Sequence, residues 1–327
     1  MRMTRPLTLT SLALAATLGL AGCATEAPAA EQTTSVAATV TVTDNNGEHT
    51  ITTPVSVVAL DNRTFQTLSD WGIELSAAAV SLMPETIAYT QDASIVDIGT
   101  HNEPDLEAIV AADPDLIING QRFTQFQDDI AALVPDATIL VLDPRDGEDF
   151  ASELKRQVTT LGEVFGKQAE AEKLTSDFDA AIARVIAAYD QGQTVMAVNT
   201  SGGEIGYIAP TVGRTLGPVF DFAGLTPALE VADGTDDHQG DDISVEAIAQ
   251  SNPDWILVMD RDAAVAADDP AYQPAADILE NSEALAGVTA VTAGNIIYMP
   301  ADTYTNEGIQ TYTEFLNAFA DALESAS

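Results

Sequence analysis

Three arginines sit where they could bind an anion: Arg122, Arg214 and Arg261. Arginine suits that task because its charge is permanent and its donors form a fixed fork that matches planar oxygen ligands. Residues 191–327 hold 22 acidic residues and two basic ones, Arg214 and Arg261. A segment that has shed nearly every other cation has kept these two. Arg122 is tied to Arg261 by an internal echo. Glu107-Ala108-Ile109, Pro114-Asp115 and Arg122 recur as Glu246-Ala247-Ile248, Pro253-Asp254 and Arg261, each offset by 139 residues. Solenoid repeats have periods of roughly 20–50 residues, so this is a different kind of duplication. It indicates two lobes, each built around one helix–turn–strand unit, with an arginine just past the strand. Loops after strand carboxyl ends form the ligand crevice of α/β sheets, so Arg122 and Arg261 should face each other across a cleft. Arg214 follows the Val212-Gly213 turn at a helix start and could reach the same gap. The competing reading pairs each arginine with a nearby carboxylate, such as Asp260 or Asp262. If the trio binds an anion, losing any one of them should weaken binding with little change in melting temperature.

The elements that must position these residues alternate between strand and helix, the mark of parallel α/β construction. Residues 40–51 read as a hairpin around Asn46-Gly47. Val55–Leu60, Ala77–Val80, Leu116–Ile118 and Thr138–Leu142 read as strands of a first lobe. Helices are expected over Thr64–Trp71 and over Pro104–Ala112, with Pro104 in the first turn. Residues 149–190 lack proline and read as helical with a break near Gly162 and Gly166. Within them 167–190 is an uninterrupted segment, with Ala169, Ala171, Leu174, Phe178, Ile182, Val185 and Ile186 at helical spacing. It could join the lobes or pack on one of them. In the second lobe Val195–Val198, Tyr207–Ala209, Trp255–Met259 and Ile296–Met299 read as strands. Helices are expected near Gly213–Gly224, over Ser244–Gln250 and over Ile309–Leu323. The fold class is α/β: two Rossmann-like lobes, 40–166 and 191–327, joined by a long backbone helix over 167–190, with a ligand cleft between them.

The chain carries 51 acidic and 12 Lys or Arg residues, a formal charge of −39. That balance argues against nucleic acid as a partner, since a phosphate backbone needs a basic face. The amino terminus reads as a targeting segment. Arg2 and Arg5 precede an apolar run from Leu7 to Leu20, and then comes Leu20-Ala21-Gly22-Cys23. This resembles the bacterial lipobox, which implies a signal peptide over 1–22, lipidation of Cys23 and a tether over 23–39. The chain would then be held on the extracytoplasmic face of the cell membrane by its lipid alone. Cys23 is the single cysteine, so no internal disulfide forms and no cysteine-built zinc site exists.

Glu107-Ala108-Ile109 through Pro114-Asp115-Leu116-Ile117-Ile118, then Gly120-Gln121-Arg122, resembles the signature of helical-backbone (cluster A, class III) periplasmic binding proteins of the ferric-siderophore type. Val57–Asp61 near the start and Asn295–Tyr298 near the end also fit, and the similarity spans roughly residues 40–325. It implies a catecholate-type substrate-binding lipoprotein of an ABC importer, a monomer with no intrinsic cofactor and a ferric siderophore as ligand. In that family three cleft arginines bind the anionic chelate, and Arg122, Arg214 and Arg261 match them. A histidine and a tyrosine ligate iron in some members; His238 and Tyr304 are the counterparts here. One glutamate per lobe docks on the permease dimer, and Glu107 and Glu246 match. These two also read simply as acids favoured in a first helical turn by the macrodipole.

Other classes find less support. No Gly-x-Ser-x-Gly, P-loop or Gly-x-Gly-x-x-Gly sequence occurs, so an enzyme is disfavoured. A bare-metal site needs three or four converging His, Asp or Glu ligands. The histidines are only His49, His101 and His238, and the first two read as structural or solvent-exposed. The alternative within the same fold is a haem- or corrinoid-binding protein, with Phe123, Phe126, Tyr207 and Tyr304 lining a flat ligand.

Overall fold

The computed structural model describes residues 39–326, so the signal peptide, Cys23 and nearly all of the tether lie outside the described residues. A hairpin pairs Thr39–Thr43 with Glu48–Thr52 around Asn46-Gly47. A first sheet of five parallel strands follows. Its spatial order is Val96–Asp97, Ala77–Ala78, Val57–Ala59, Leu116–Asn119 and Thr138–Val141. Chain order therefore reverses between Val57–Ala59 and Leu116–Asn119, a topological switch point of the kind that creates a crevice at strand carboxyl ends. The second sheet runs Glu204–Tyr207, Val195–Ser201, Trp255–Asp260 and Ile296–Tyr298, the first of these antiparallel to its neighbour and the rest parallel.

The sequence echo has a structural counterpart. Asp105 and Ser244 cap their helices by accepting the Ala108 and Ala247 amides. Pro104 lies outside the first of these helices, which spans Leu106–Ala111, and instead pairs with Gly99 in a short bridge. The aspartate of each Pro-Asp pair ties down the start of the neighbouring strand. Asp115 accepts the Val55 and Ser56 amides at 2.8 and 3.2 Å, and Asp254 accepts the Thr194 amide at 2.8 Å. Each orders a strand entry that would otherwise leave backbone donors unpaired.

Two helices, Phe150–Phe165 and Gln168–Ala188, link the lobes. The break expected near Gly162 and Gly166 falls at Gly166-Lys167, with Gly162 inside the first helix. Gly162 is required for another reason. A Cβ there would lie 2.7 Å from the Ala171 methyl, so glycine lets the two helices cross closely. The second helix is about 32 Å long at 1.5 Å per residue. It buries Ala171, Phe178, Ala181 and Val185, whereas Ala169 is exposed and Ile186 is 50% exposed. It packs on both sides of the molecule: against the preceding helix, against Gly217–Ala223 and against the closing helix Ile309–Ala326. Alternation along the second sheet explains how one core becomes continuous. Val195, Ala197, Trp255, Leu257 and Met259 face the core shared with the connector and closing helix. Met196, Val198, Ile256 and Val258 face a separate core under the second lobe's own helices. Trp255 meets Phe319 of the closing helix edge-on at 5.5 Å. The closing segment also returns to the first lobe, where Gln310 and Asn306 reach Thr67 and Gln66.

Candidate functional site

Arg122 lies in the turn after Leu116–Asn119, at the first sheet's switch point. Gly120 begins that turn, and a Cβ there would come within 2.6 Å of the Asp61 carboxyl group, so only glycine admits this approach. Arg261 follows Trp255–Asp260 directly and opens a short helix capped by Asp260. Arg214 sits in the loop before Gly217–Ala223, a helix that starts four residues later than the Gly213 expected from sequence. Gln121 and Thr215, each next to an arginine, hold positive φ of 46° and 67° without being glycine. Such conformations cost about 1–3 kcal/mol each and concentrate at functional sites. Here hydrogen bonds to carboxylates hold them. The Gln121 amide donates to Asp143 at 2.8 Å, and the Thr215 hydroxyl donates to Glu307 at 2.6 Å.

The three guanidiniums converge on one ring. Their Cζ atoms lie 4.6 Å (Arg122), 5.1 Å (Arg214) and 4.9 Å (Arg261) from the Tyr304 centroid. Cations over an aromatic face within about 6 Å are attracted by its quadrupole. Burial alone would raise the Tyr304 phenol; hydrogen bonding and charge from Arg122, with Arg261 and Arg214, outweigh it and hold the phenol below its ordinary value. The arginines border a cavity of about 520 Å³ with Leu82, Thr100, His101, Asn102, His238 and Thr305 among its walls. No carboxylate is among its lining residues, in a chain with 51 acidic side chains. Larger clefts exist, at about 780 Å³ beside Pro144–Phe150 and about 740 Å³ beside Met83–Thr86, but acidic residues line both. Charge, more than size, distinguishes the arginine cavity.

The arginines differ in what already holds them. Arg214 makes a two-pronged pair with Glu307, Nε to Oε1 at 3.1 Å and Nη2 to Oε2 at 3.2 Å. Glu307 is buried, yet the charges of Arg214 and Arg63 overcome its burial and lower its pKa to about 2. Its carboxylate also takes a short hydrogen bond from Gln121. Arg261 donates to Asp262 at 3.0 Å and to Ser201 at 3.3 Å. The carboxylate alternative raised for the arginines is thus realised for two of them. Arg122 donates to the Tyr304 carbonyl at 3.1 Å and has no carboxylate partner among the described residues. The Nε groups of Arg122 and Arg261 are buried and unpaired. Beneath the floor, Asp61 is fully buried, and burial followed by the Asp143 charge raises its pKa to about 7.

His238 and Tyr304 both border the cavity. His101, read from sequence as structural or exposed, lines it too. Burial, then Arg122 and Arg214, push its pKa below the ordinary value, which favours the neutral imidazole. His49 stays structural, 3.0 Å from Asp44 in the hairpin. Two expected ligand contacts are corrected. Phe123 is fully buried against Phe126, and Tyr207 is buried in the second core with its hydroxyl donating to the Leu229 carbonyl. Neither lines the cavity, and of the four aromatics named for a flat haem or corrinoid ligand only Tyr304 borders it. Glu107 and Glu246 are exposed, at equivalent first-turn positions of the repeated helices. Among the described residues no three His, Cys, Asp or Glu side chains gather as a metal site. Sequence reading missed Glu307 because Asn306-Glu307-Gly308 carries no local pattern that announces a buried acid.

A bilobed α/β fold with a long helical linker and a cleft site defines a class of solute-binding proteins. The chain belongs to the periplasmic binding protein family, whose model matches residues 57–303. It is therefore a binding protein rather than an enzyme, and family membership implies an extracytoplasmic location. It is 25% identical over 286 residues to the petrobactin-binding protein YclQ of Bacillus subtilis, covering 86% of each chain. It is 25% identical over 290 residues to the ferric-anguibactin-binding protein FatB of Vibrio anguillarum, covering 87% of each. The crystal structure of the catecholate-siderophore binding protein VctP from Vibrio cholerae superposes with a TM-score of 0.75 at 24% identity, covering 87% of this chain and 100% of that one.

Proposed function

We propose that the protein captures an anionic ferric siderophore, of catecholate or mixed type, and delivers it to an ABC importer. The observation that carries this reading is the meeting of three guanidiniums around Tyr304, in a cavity without lining carboxylates inside a molecule of charge −39. Charge-assisted hydrogen bonds to acceptor oxygens contribute about 1.5–3 kcal/mol each, and Arg122, Arg214 and Arg261 all border the cavity where such oxygens would sit. The names of the relatives YclQ and FatB support an iron-chelate ligand. Iron is cargo here, carried inside its chelate. His238 and Tyr304 stand ready to complete the ferric coordination if the chelator leaves positions open. Glu107 and Glu246, one per lobe, dock on a symmetric permease dimer. Cys23 carries the lipid that keeps the monomer at the membrane. The deciding experiment is equilibrium dialysis against ferric catecholates, haem and cobalamin, read by their visible absorbance. Saturable uptake of ferric catecholates alone supports the reading; preferential uptake of haem or cobalamin refutes it.

A further inference from the structure

The arginine trio suggests a highly charged ligand, but the residues around it argue for a weakly charged one. Two of the three guanidiniums are already matched. Arg214 shares both its prongs with Glu307, and Arg261 is held by Asp262 at 3.0 Å. Both carboxylates are fixed by further donors. Thr215, Gln121 and Arg63 surround Glu307, while the Gly202 amide reaches Asp262 at 2.5 Å. Neither can swing away cheaply when a ligand enters. Three guanidiniums less two carboxylates leave about one net positive charge, centred on Arg122. The layer beneath adds little, since Arg63 pairs with Asp143 at 3.2 Å.

Resting on the proposed siderophore site, we infer that Glu307 and Asp262 are specificity residues that select a ferric chelate of about one net negative charge over a trianion. Partly buried charges are screened far less than surface ones, so an unmatched excess is costly. A trianion drawn into this cavity would leave about two negative charges without a partner, inside a protein whose long-range field already repels anions. A ferric bis-catecholate is a monoanion: one Fe(III) against two catecholate dianions. A ferric tris-catecholate, with three such dianions, is a trianion. Selection against the second is then an unpaired-charge penalty built into the site, not a missing contact.

The test uses two probes of matched donor chemistry, the ferric complexes of a linear bis-catecholamide and a linear tris-catecholamide. Both probes are measured at one pH and one ionic strength. Wild type should bind the monoanion at least about tenfold tighter, the size of one unmatched charge at a partly buried site. Asp262→Asn and Glu307→Gln should each narrow that ratio by about threefold or more, through tighter binding of the trianion. Asp262→Asn is the decisive variant should Glu307→Gln misfold, because Asp262 lies nearer the surface, with 15% of its side chain exposed. If wild type prefers the trianion, or if Asp262→Asn leaves the ratio unchanged, the inference is overturned while the siderophore reading stands. If wild type takes up neither probe, both fall.

Discussion

Replacing Arg214 with alanine should cost stability that replacing Arg122 does not, although both lose affinity. Sequence alone treats the two as equivalent. The structure separates them through Glu307, a buried carboxylate whose pKa of about 2 depends first on Arg214. Removing one partner of a buried ion pair costs about 3–5 kcal/mol, because the other charge stays in low dielectric. Thr215, Gln121 and Arg63 still reach Glu307 and place the loss at the lower end of that range. Arg122 donates to the Tyr304 carbonyl and lies over the Tyr304 ring, and a hydrogen bond from a charged donor contributes about 1.5–3 kcal/mol. Its loss strands no carboxylate among the described residues and relieves repulsion from Arg214 and Arg261, which places the cost at the lower end of that range. With roughly 2 °C of melting temperature per kcal/mol in a chain of this size, Arg214→Ala should fall by about 6 °C and Arg122→Ala by no more than about 3 °C. Thermal unfolding followed by circular dichroism at pH 7 reads the difference. Ferric-catecholate affinity should drop at least about tenfold in both, since each loses a charge-assisted donor. Equal melting temperatures in the two variants would refute the assignment of Glu307 as the anchor of Arg214.

Three further outcomes are expected. Glu107→Ala with Glu246→Ala should abolish ferric-siderophore uptake by cells while leaving binding by the purified protein intact; normal uptake by the double variant would sink the docking role. Asp61, with a folded pKa of about 7 against an ordinary 3.8, contributes stability that is full below its unfolded value and is lost as pH rises through 7. Asp61→Asn should therefore gain on wild type, by on the order of 4 kcal/mol at most, between pH 4 and pH 8 in urea denaturation, and parallel pH profiles would contradict the shift. Cys23→Ser should move the protein from the detergent phase to the aqueous phase in Triton X-114 partitioning; an unchanged distribution would exclude the lipid anchor.

The sequence by itself determined the two-lobe plan and singled out the three arginines that meet around Tyr304. Both follow from local signals. The 139-residue echo fixes a helix, an aspartate and a strand in each lobe, and an arginine just past the strand must lie at the sheet's carboxyl edge. Scarcity of cations then singled out Arg214. What only the tertiary structure decided was what those arginines meet. Burial sent Phe123, in the turn after Leu116–Asn119, and Tyr207, at the end of the strand Glu204–Tyr207, into the two cores. Folding brought His101 from the first lobe against arginines of both, across more than 100 residues of chain. It also set Glu307, on the segment that returns from the second sheet to the first lobe, beneath Arg214 and Gln121. Electrostatic compensation depends on distances of a few ångströms between residues remote in sequence, and no periodicity or spacing along the chain encodes it.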